Sequence, residues 1–164
     1  LGVTRAQIAA YCARHDIAAR DDATNADTAL TRGWLRHELL PLMHSRCPGA
    51  ARALSDLADS AALDESLLEA MFTQTLLAQA SVTENAVRLP RALFRDAHLA
   101  LQRRFVRWAA TRLAPGAELS HERTDAAVQF LRTGAKGQMI ELAGGVGVWV
   151  LGEEILIALR AEAD

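Results

Sequence analysis

Two arginines, Arg32 and Arg36, stand four residues apart, just after a short segment rich in carboxylate and amide side chains. Residues spaced by four lie on one stripe of a helix, so both guanidiniums can act on a single ligand. A guanidinium binds phosphate or carboxylate through a planar fork of N–H donors. The pair can therefore hold a phosphate, neutralise the neighbouring aspartates or form a charged face in solvent, and the spacing alone leaves all three open.

The segment before these arginines is Asp21-Asp22-Ala-Thr-Asn25-Ala-Asp27. Alternating oxygen ligands are typical of calcium loops, but this segment lacks their glycine, and Arg32 stands where the closing Glu would be. We interpret the segment as a turn, with Asp27 as the N-cap of the next helix. Binding of an ammonium or amine group by the carboxylates is the alternative.

Two cysteine–histidine pairs, Cys12 with His15 and His44 with Cys47, contain residue types that bind zinc. Neither pair has the spacing of a zinc finger. Cys12 also falls on the apolar face of a predicted helix, where a free cysteine packs as a small hydrophobe. We therefore predict no metal site.

Two glycine-rich segments, 134–137 and 143–148, superficially resemble phosphate-binding loops. In a phosphate-binding loop the phosphate lies at the N-terminus of the helix that follows the loop. Neither glycine-rich segment is followed by apolar residues at helical spacing. We interpret both as turns. Gly144-Gly145 is expected to form a two-residue hairpin turn, because glycine adopts positive φ freely.

Apolar spacing predicts helices through most of the chain. A capping box beginning at Thr4 opens the first helix, and Pro41, which has no N–H, predicts a kink or an early end in the second. Inward-facing positions of that second helix should be Leu35, Leu39, Leu42 and Met43. The helices are expected over about 4–15, 28–43, 50–79, 90–113 and 121–133.

The C-terminal part changes to β periodicity. Short apolar runs over 139–142, 146–151 and 155–159, separated by glycines, predict the three strands of a meander. Residues 81–89 form a further short extended piece. The expected fold class is mainly α with a small C-terminal antiparallel β-meander (α+β).

The composition is that of a globular protein, with 164 residues, 51% hydrophobic, 23% charged and a net charge of −2. No apolar stretch approaches the roughly 18 residues of a membrane span, and two cysteines make no disulfide framework, so we expect no membrane and a cytoplasmic location. All but one of the 18 basic residues are arginine, yet the balanced charge gives no global basic field. Because the chain begins with Leu1, we expect a fragment.

The acidic segment and the two arginines together match a longer pattern. Asp22-Ala-Thr-Asn25-Ala-Asp27 is followed, after four residues, by Arg32-Gly-Trp-Leu-Arg36-His-Glu-Leu-Leu-Pro41. This resembles the tRNA(Ile)-lysidine synthetase family, whose pattern is D-x-[ST]-N-x-D and then R-N-x-[IL]-R-[HN]-x-[LV]-[LI]-P. The resemblance extends over essentially the whole chain, but only residues 22–41 match specifically.

The resemblance implies an enzyme that uses ATP and free L-lysine to convert the cytidine at the first anticodon position of tRNA(Ile) to lysidine. In that family ATP adenylates O2 of the cytidine, and the ε-amine of lysine then displaces AMP. ATP and Mg²⁺ are held by an S-G-G-x-D-S loop, which these 164 residues lack. We therefore expect 1–48 to be the C-terminal end of the catalytic domain, 49–164 to be a helical tRNA-contacting domain with the meander, and the isolated chain to be inactive.

The resemblance also implies substrate-binding roles for Asp22, Asn25, Asp27, Arg32, Arg36 and His37. The arginines would stabilise negative charge on the adenylate or on a tRNA phosphate, and His37 would assist or only pack. The acidic segment would shape the loop or meet the lysine ammonium. Gly33 stands where the family usually has Asn, and glycine weakens a helix by about 1 kcal/mol relative to alanine, which predicts a divergent or impaired copy.

A second set of arginines is the predicted tRNA face: Arg88, Arg91, Arg95, Arg103, Arg104, Arg107 and Arg112. Helical periodicity assigns Phe105 and Trp108, which lie among them, to the core rather than to base stacking. The alternative is a helical module that binds RNA or protein and catalyses nothing. An S-G-G-x-D-S motif upstream in the open reading frame would favour the enzyme, and the oligomeric state is not predicted.

Overall fold

The computed structural model describes residues 3–18 and 27–160. The chain forms two compact units, Leu1–Asp59 and Ser60–Asp164, and each is described by itself. The predicted fold class is confirmed, since helices dominate and an antiparallel sheet forms the C-terminal part.

In the first unit, α1 covers Arg5–Arg14 and begins with the predicted capping box. The Gln7 N–H donates to Thr4 Oγ1 at 3.2 Å, and the Thr4 N–H donates to Gln7 Oε1 at 2.7 Å. These bonds satisfy backbone donors that the first helical turn leaves free. The helix ends at His15, as expected.

The second predicted helix begins later and is irregular. It consists of α2 (Thr31–Trp34), one π-helical turn (Leu35–Leu39) and α3 (Leu40–Arg46). The Leu40 N–H donates to the Leu35 carbonyl, five residues back instead of four. Pro41 next to it cannot donate, and its ring would collide with a carbonyl four residues earlier, so the widened turn accommodates it.

Two expectations for this segment are wrong. Asp27 does not cap the helix: its Oδ1 accepts from the Ala29 N–H at 2.9 Å, and Leu30 is the N-cap, without a side-chain bond. Leu35 and Leu42 do not face inward, since they are 39% and 57% exposed. Nearby backbone donors compete for a short carboxylate, and here the turn at 27–29 binds it.

Helix α4 covers Ala50–Thr75, and a 3₁₀ turn, Leu77–Gln79, follows it. Only Phe72 is buried in α4, and Leu76 is buried just after it. The apolar spacing of residues 50–79 therefore predicted a helix correctly, while burial is confined to its C-terminal end.

Five strands within the described residues of the second unit form one antiparallel sheet in the order β1-β2-β5-β4-β3. They are β1 (Ser81–Val82), β2 (Ala86–Pro90), β3 (Met139–Glu141), β4 (Val146–Val150) and β5 (Glu154–Leu159). The predicted meander is β3–β4–β5, and the extended piece at 81–89 is a hairpin whose second strand pairs with β5. In this register Ile157 lies opposite both Val87 and Val148.

Three helices pack on this sheet: α5 (Arg91–Asp96), α6 (Leu99–Leu113) and α7 (His121–Thr133). α5 contacts β2, α6 contacts β5 and α7 contacts β4. The buried residues of these elements form one continuous core, in which the Phe94 and Phe105 rings meet edge to face at 5.9 Å. Edge-to-face contact is a favoured arrangement of aromatic rings.

The single helix expected over 90–113 is wrong, because extended backbone at Ala97 and His98 divides it into α5 and α6. The buried Gln102 side chain explains the break. Its Nε2 donates to the carbonyls of Phe94 and Ala97 at 2.8 and 2.9 Å and so satisfies the end of α5. The other amide atom, Oε1, accepts from the Arg132 guanidinium at 3.2 Å.

The turn between β3 and β4 also differs from the prediction. It has three residues, Ala143–Gly145, rather than two, and the Leu142 N–H donates to the Val146 carbonyl at 2.7 Å. Both Gly144 and Gly145 have positive φ, as expected of glycines in such a turn. Within residues 3–18 and 27–160, none of the helices combines the length and the apolar character that a membrane span requires.

Candidate functional site

The predicted site residues that the structure describes lie between the end of the acidic segment and the π-helical turn. Asp27 is exposed, Arg32 is exposed on α2, and Arg36 and His37 lie in the π turn, half-buried and exposed respectively. Asp22 and Asn25 lie outside the described residues. The described part of the predicted site therefore occupies residues 27–37 of the first unit.

Neither Arg32 nor Arg36 forms an ion pair or a side-chain hydrogen bond with another described residue. Asp27 directs its Oδ1 to the Ala29 N–H rather than to either guanidinium. Neither arginine therefore neutralises Asp27, whereas Asp21 and Asp22 lie outside the described residues and their neutralisation stays a prediction. Both guanidiniums keep their donors for an anion or for water.

The π turn carries Arg36 and His37, and it was not predicted. Single π turns inside α-helices are rare and are often found at functional sites. Pro41 was the available signal, because a proline in the interior of a continuous helical run cannot donate a backbone hydrogen bond and its ring collides with the carbonyl four residues earlier. The sequence indicated an irregularity there but not its type.

Gly33, between the two arginines, is the one fully buried residue in the described part of the first unit. A side-chain carbon at this position would overlap the Asp27 carbonyl group, and it would lie 3.4 Å from the Thr28 Cα. The end of the acidic segment thus packs backbone to backbone on the helix that carries the arginines. Sequence reasoning regarded Gly33 only as a weak helix former and missed this contact.

In the second unit the structure divides the predicted arginine face into two groups. Four arginines are bound to protein groups: Arg88 to Glu154, Arg91 to backbone carbonyls, Arg103 to Asp125, and Arg104 to Glu65 and Glu69. The other three, Arg95, Arg107 and Arg112, are exposed and have no such partner among the described residues. The free subset is the part of the predicted face that can bind an external anion.

Arg91 has a structural position. Its guanidinium donates to the carbonyls of Leu131, Arg132 and Gly134 at 3.0, 3.2 and 2.7 Å. These carbonyls lie at the end of α7, where they have no partner within the helix. Arg91, the first residue of α5, therefore caps the C-terminal end of α7, and these three hydrogen bonds engage its guanidinium.

Arg103 and Arg104 anchor α6 to its neighbours. Arg103 forms a two-point contact with Asp125 on α7, at 2.7 and 2.9 Å. Arg104 donates to Glu69 at 2.7 Å and also to Glu65. The hydrogen bond from Arg104 lowers the pKa of Glu65, and the one from Arg103 lowers the pKa of Asp125.

A groove with a cavity volume of about 800 Å³ lies between α4 and α6. Phe72 and Trp108, whose ring centres are 5.8 Å apart, form its apolar wall. Arg107 and Arg112 line it as well, together with charged residues that are already paired: Arg103, Arg104, Glu65 and Glu69. A smaller cavity next along α6 shares Arg107 and adds Arg123. Phe105 is in the core as predicted, whereas Trp108 is only partly buried and reaches the groove.

The glycine segments lie in turns and connections of the fold, and both cysteines are free thiols. Ala143–Gly145 is a turn between two strands, and the segment 134–137 runs from the end of α7 towards β3, so neither opens a helix. Cys12 is a half-buried free thiol on α1, and Cys47 is exposed after α3. In the described ranges no group of three or more potential metal ligands comes together.

Comparison with known proteins gives two results. The family model described as "PP-loop domain" matches residues 1–43. Proteins named tRNA(Ile)-lysidine synthase match far more of the chain: one of Deinococcus deserti is 32% identical over 98% of it, and one of Thermus thermophilus is 34% identical over 89%. One of Thermosynechococcus vestitus is 32% identical over 94%. The chain spans 27% of the length of the first two relatives and 44% of the third.

Proposed function

We propose, since this chain belongs to the tRNA(Ile)-lysidine synthase family, that it supplies tRNA contacts and part of the active-site wall to lysidine formation. The proposed substrates are tRNA(Ile), ATP and free L-lysine, all of which occur in the cytoplasm. The observation that carries the proposal is the pair of guanidiniums at Arg32 and Arg36, which no described residue neutralises.

The proposed reaction has two steps. ATP adenylates O2 of the cytidine and releases pyrophosphate, which turns that oxygen into part of a leaving group. The lysine ε-amine then forms a C–N bond at C2, the C–O bond to AMP breaks, and the amine loses a proton. Both steps place negative charge on phosphate oxygens, which guanidiniums stabilise.

The described residues do not fit ATP and Mg²⁺ as a complete site. No glycine-rich loop among them opens a helix, and they contain no acidic cluster for a metal ion. We assign to this chain only the anion contacts of Arg32 and Arg36. Asp27, with Asp22 and Asn25, is proposed to shape the adjoining loop, and His37 is proposed to assist or to pack.

We also propose that tRNA binding in the second unit relies on the free arginines. Arg107 and Arg112 lie beside the aromatic wall of the α4–α6 groove, and Arg95 lies on α5. Unpaired arginines can exchange counterions for backbone phosphates, whereas a carboxylate next to Arg104 or Arg103 repels them. The functional division proposed is residues 1–48 for the catalytic end and 49–164 for the tRNA-contacting part.

The test is incorporation of labelled lysine into tRNA(Ile) transcript. The protein as its gene encodes it should incorporate lysine only when ATP is present. The 164-residue chain by itself should bind the transcript and incorporate no lysine. Incorporation by the isolated chain would contradict the proposed division of labour, and no incorporation by the gene's full product would contradict the enzyme itself.

The second candidate is a module that binds RNA without catalysis. It is favoured by one observation, the exposed Arg107 and Arg112 beside the aromatic wall of the α4–α6 groove, an arrangement that can bind RNA without a catalytic group. Under this hypothesis the gene's full product binds the transcript but leaves its lysine content unchanged, so the same assay separates the two candidates.

A further inference from the structure

We propose that Gly33 is a positioning residue, which sets the place of the Asp27–Thr28 backbone beside the helix that carries Arg32 and Arg36. This inference rests on the proposed function of those arginines. It differs from the expectation that glycine here marks an impaired copy. The contact between Gly33 and the Asp27–Thr28 backbone is the reason.

Gly33 does not serve the conformation of its own backbone. It is not among the described glycines with positive φ, which are Gly116, Gly137, Gly144, Gly145 and Gly152. Any residue could therefore adopt its helical backbone, and most would do so at a lower entropy cost. The reason for glycine must lie in what occupies the position of the missing side chain.

That position is filled by backbone. The Asp27 carbonyl lies where a Cβ would be, with the Thr28 Cα just beyond it. Backbone cannot rotate away as the end of a flexible side chain can, so an added methyl group would displace the segment. Gly33 is also fully buried, although the other residues of the first unit whose burial is described are all at least partly exposed.

The contact lies between two local anchors. On one side, the Asp27 carboxylate accepts from the Ala29 N–H at 2.9 Å. On the other, the Trp34 N–H donates to the Leu30 carbonyl at 2.9 Å, which joins the segment to the first turn of α2. Moving the backbone at Asp27 would therefore strain this turn and shift Asp27 relative to the helix that carries the arginines.

Residue 33 also adjoins both arginines along the helix. It follows Arg32 directly and lies three positions before Arg36, a spacing that places two residues on neighbouring parts of one face. The family residue, Asn, is larger than a methyl group and has no space in this arrangement. Gly33→Asn should therefore impair this chain rather than restore it.

The first test is hydrogen exchange of the backbone amides in the 164-residue chain. Gly33→Ala should speed exchange at Ala29 and Trp34 at least tenfold and leave the second unit unchanged. Gly49→Ala is the matched control, because a Cβ at Gly49 has no heavy atom within 4 Å. Unchanged exchange in Gly33→Ala would overturn the contact, and lost protection across α1 as well would overturn a role confined to positioning.

The second test is lysidine formation by the protein as its gene encodes it. Gly33→Ala and Gly33→Asn should each lower kcat at least tenfold, with KM for tRNA changed less than threefold, because the arginines of the second unit are untouched. If the Gly33 variants exchange their amides faster but keep a normal kcat, Gly33 has only a structural role and the positioning proposal is overturned. Higher kcat in Gly33→Asn would likewise overturn the proposal.

Arg36→Ala, assayed in parallel, separates this inference from the function on which it rests. If Arg36→Ala forms lysidine normally, the proposed site is wrong, while the exchange data still decide whether the Gly33 contact exists. If Arg36→Ala is impaired and both Gly33 variants are normal, only the positioning role fails.

Discussion

The two units hold their arginines in place by different means. In the first unit the described residues include one fully buried position, Gly33, and the helix of Arg32 and Arg36 is held by backbone contact and backbone hydrogen bonds. In the second unit a sheet and three helices enclose a continuous core of apolar side chains. Side-chain burial, which dominates folding free energy, is therefore concentrated in the second unit, whereas the candidate site belongs to the first.

The difference extends to the charges. Arg32 and Arg36 have no partner among the described residues, whereas Arg91, Arg103 and Arg104 each bind groups of their own unit. Free arginines cost little to keep exposed and are available to a ligand, while paired ones fix helices to one another. Because all of these residues are arginines, it is their surroundings in the fold that separate those with free donors from those that hold helices together.

Truncation of an apolar side chain should lower the free energy of unfolding far more in the second unit than in the first, and this is the largest effect that we expect. Phe105→Ala removes a fully buried ring that contacts Phe94, and it should lower the free energy of unfolding by about 3–5 kcal/mol. Leu57→Ala in the first unit, where the side chain is 64% exposed, should change it by about 0.5 kcal/mol or less. Guanidinium denaturation followed by circular dichroism measures both, and equal effects would contradict the contrast.

Replacing arginines by alanine should distinguish an arginine that stabilises the fold from a nearby exposed arginine that does not. Arg91→Ala leaves the terminal carbonyls of α7 without their donors and should cost about 1.5–3 kcal/mol of unfolding free energy. Arg95→Ala, the exposed control one helical turn later, should leave stability within about 0.5 kcal/mol. A destabilised Arg95→Ala with a normal Arg91→Ala would reverse the assignment.

Acid should destabilise the second unit through two carboxylates. Hydrogen bonds from Arg104 and Arg103 lower the pKa of Glu65 and of Asp125 below their usual values of 4.5 and 3.8. A carboxylate with a lowered folded-state pKa stabilises fully above its usual pKa, and this stabilisation is lost as the pH falls through the lowered value.

The midpoint of thermal unfolding, measured from pH 7 to pH 2, should therefore fall less steeply in acid for Glu65→Gln and Asp125→Asn than for the unaltered chain. Glu118→Gln is the control, because Glu118 is exposed and has no ion pair within the described ranges. Parallel pH profiles for all four proteins would refute a contribution from these two pairs.

The smallest expected effect concerns the salt dependence of RNA binding. Arg107→Ala and Arg112→Ala should each reduce the slope of log K against log salt by about 1, since each removes one phosphate contact. Arg103→Ala should reduce it less, because Asp125 already neutralises that guanidinium. Filter binding of tRNA transcript at several salt concentrations gives the slopes, and an equal loss in all three variants would contradict the division.

Local features were predictable from the sequence because their causes are local. The capping box at Thr4 fixed the start of α1, and glycine-separated apolar runs located β3, β4 and β5. The break before α6 was not predictable, since it depends on the buried Gln102 amide, which donates to the carbonyls of Phe94 and Ala97, and no residue spacing or turn motif signals that contact. Intrinsic propensity gives way to such packing contacts.

The candidate site was likewise predictable from the sequence only in part. The spacing of Arg32 and Arg36 was visible in the sequence, and the family resemblance singled them out. The packing of Asp27 on Gly33, the π turn and the pairing of Arg103 and Arg104 depend on where the chain returns in space. Sequence reasoning therefore identified the candidate residues, and the structure decided which guanidiniums are free.

We propose that Arg32 and Arg36, the unpaired arginines of the candidate site, stabilise anionic charge during lysidine formation. The most direct test is kcat/KM for lysine incorporation into tRNA(Ile) by the gene's full product carrying Arg36→Ala, with Arg46→Ala as the control from the same unit. Arg36→Ala should lose roughly two orders of magnitude, the scale expected for one preorganised donor, while Arg46→Ala stays near the unaltered rate. Near-normal kcat/KM in Arg36→Ala, or an equal loss in Arg46→Ala, would contradict the claim.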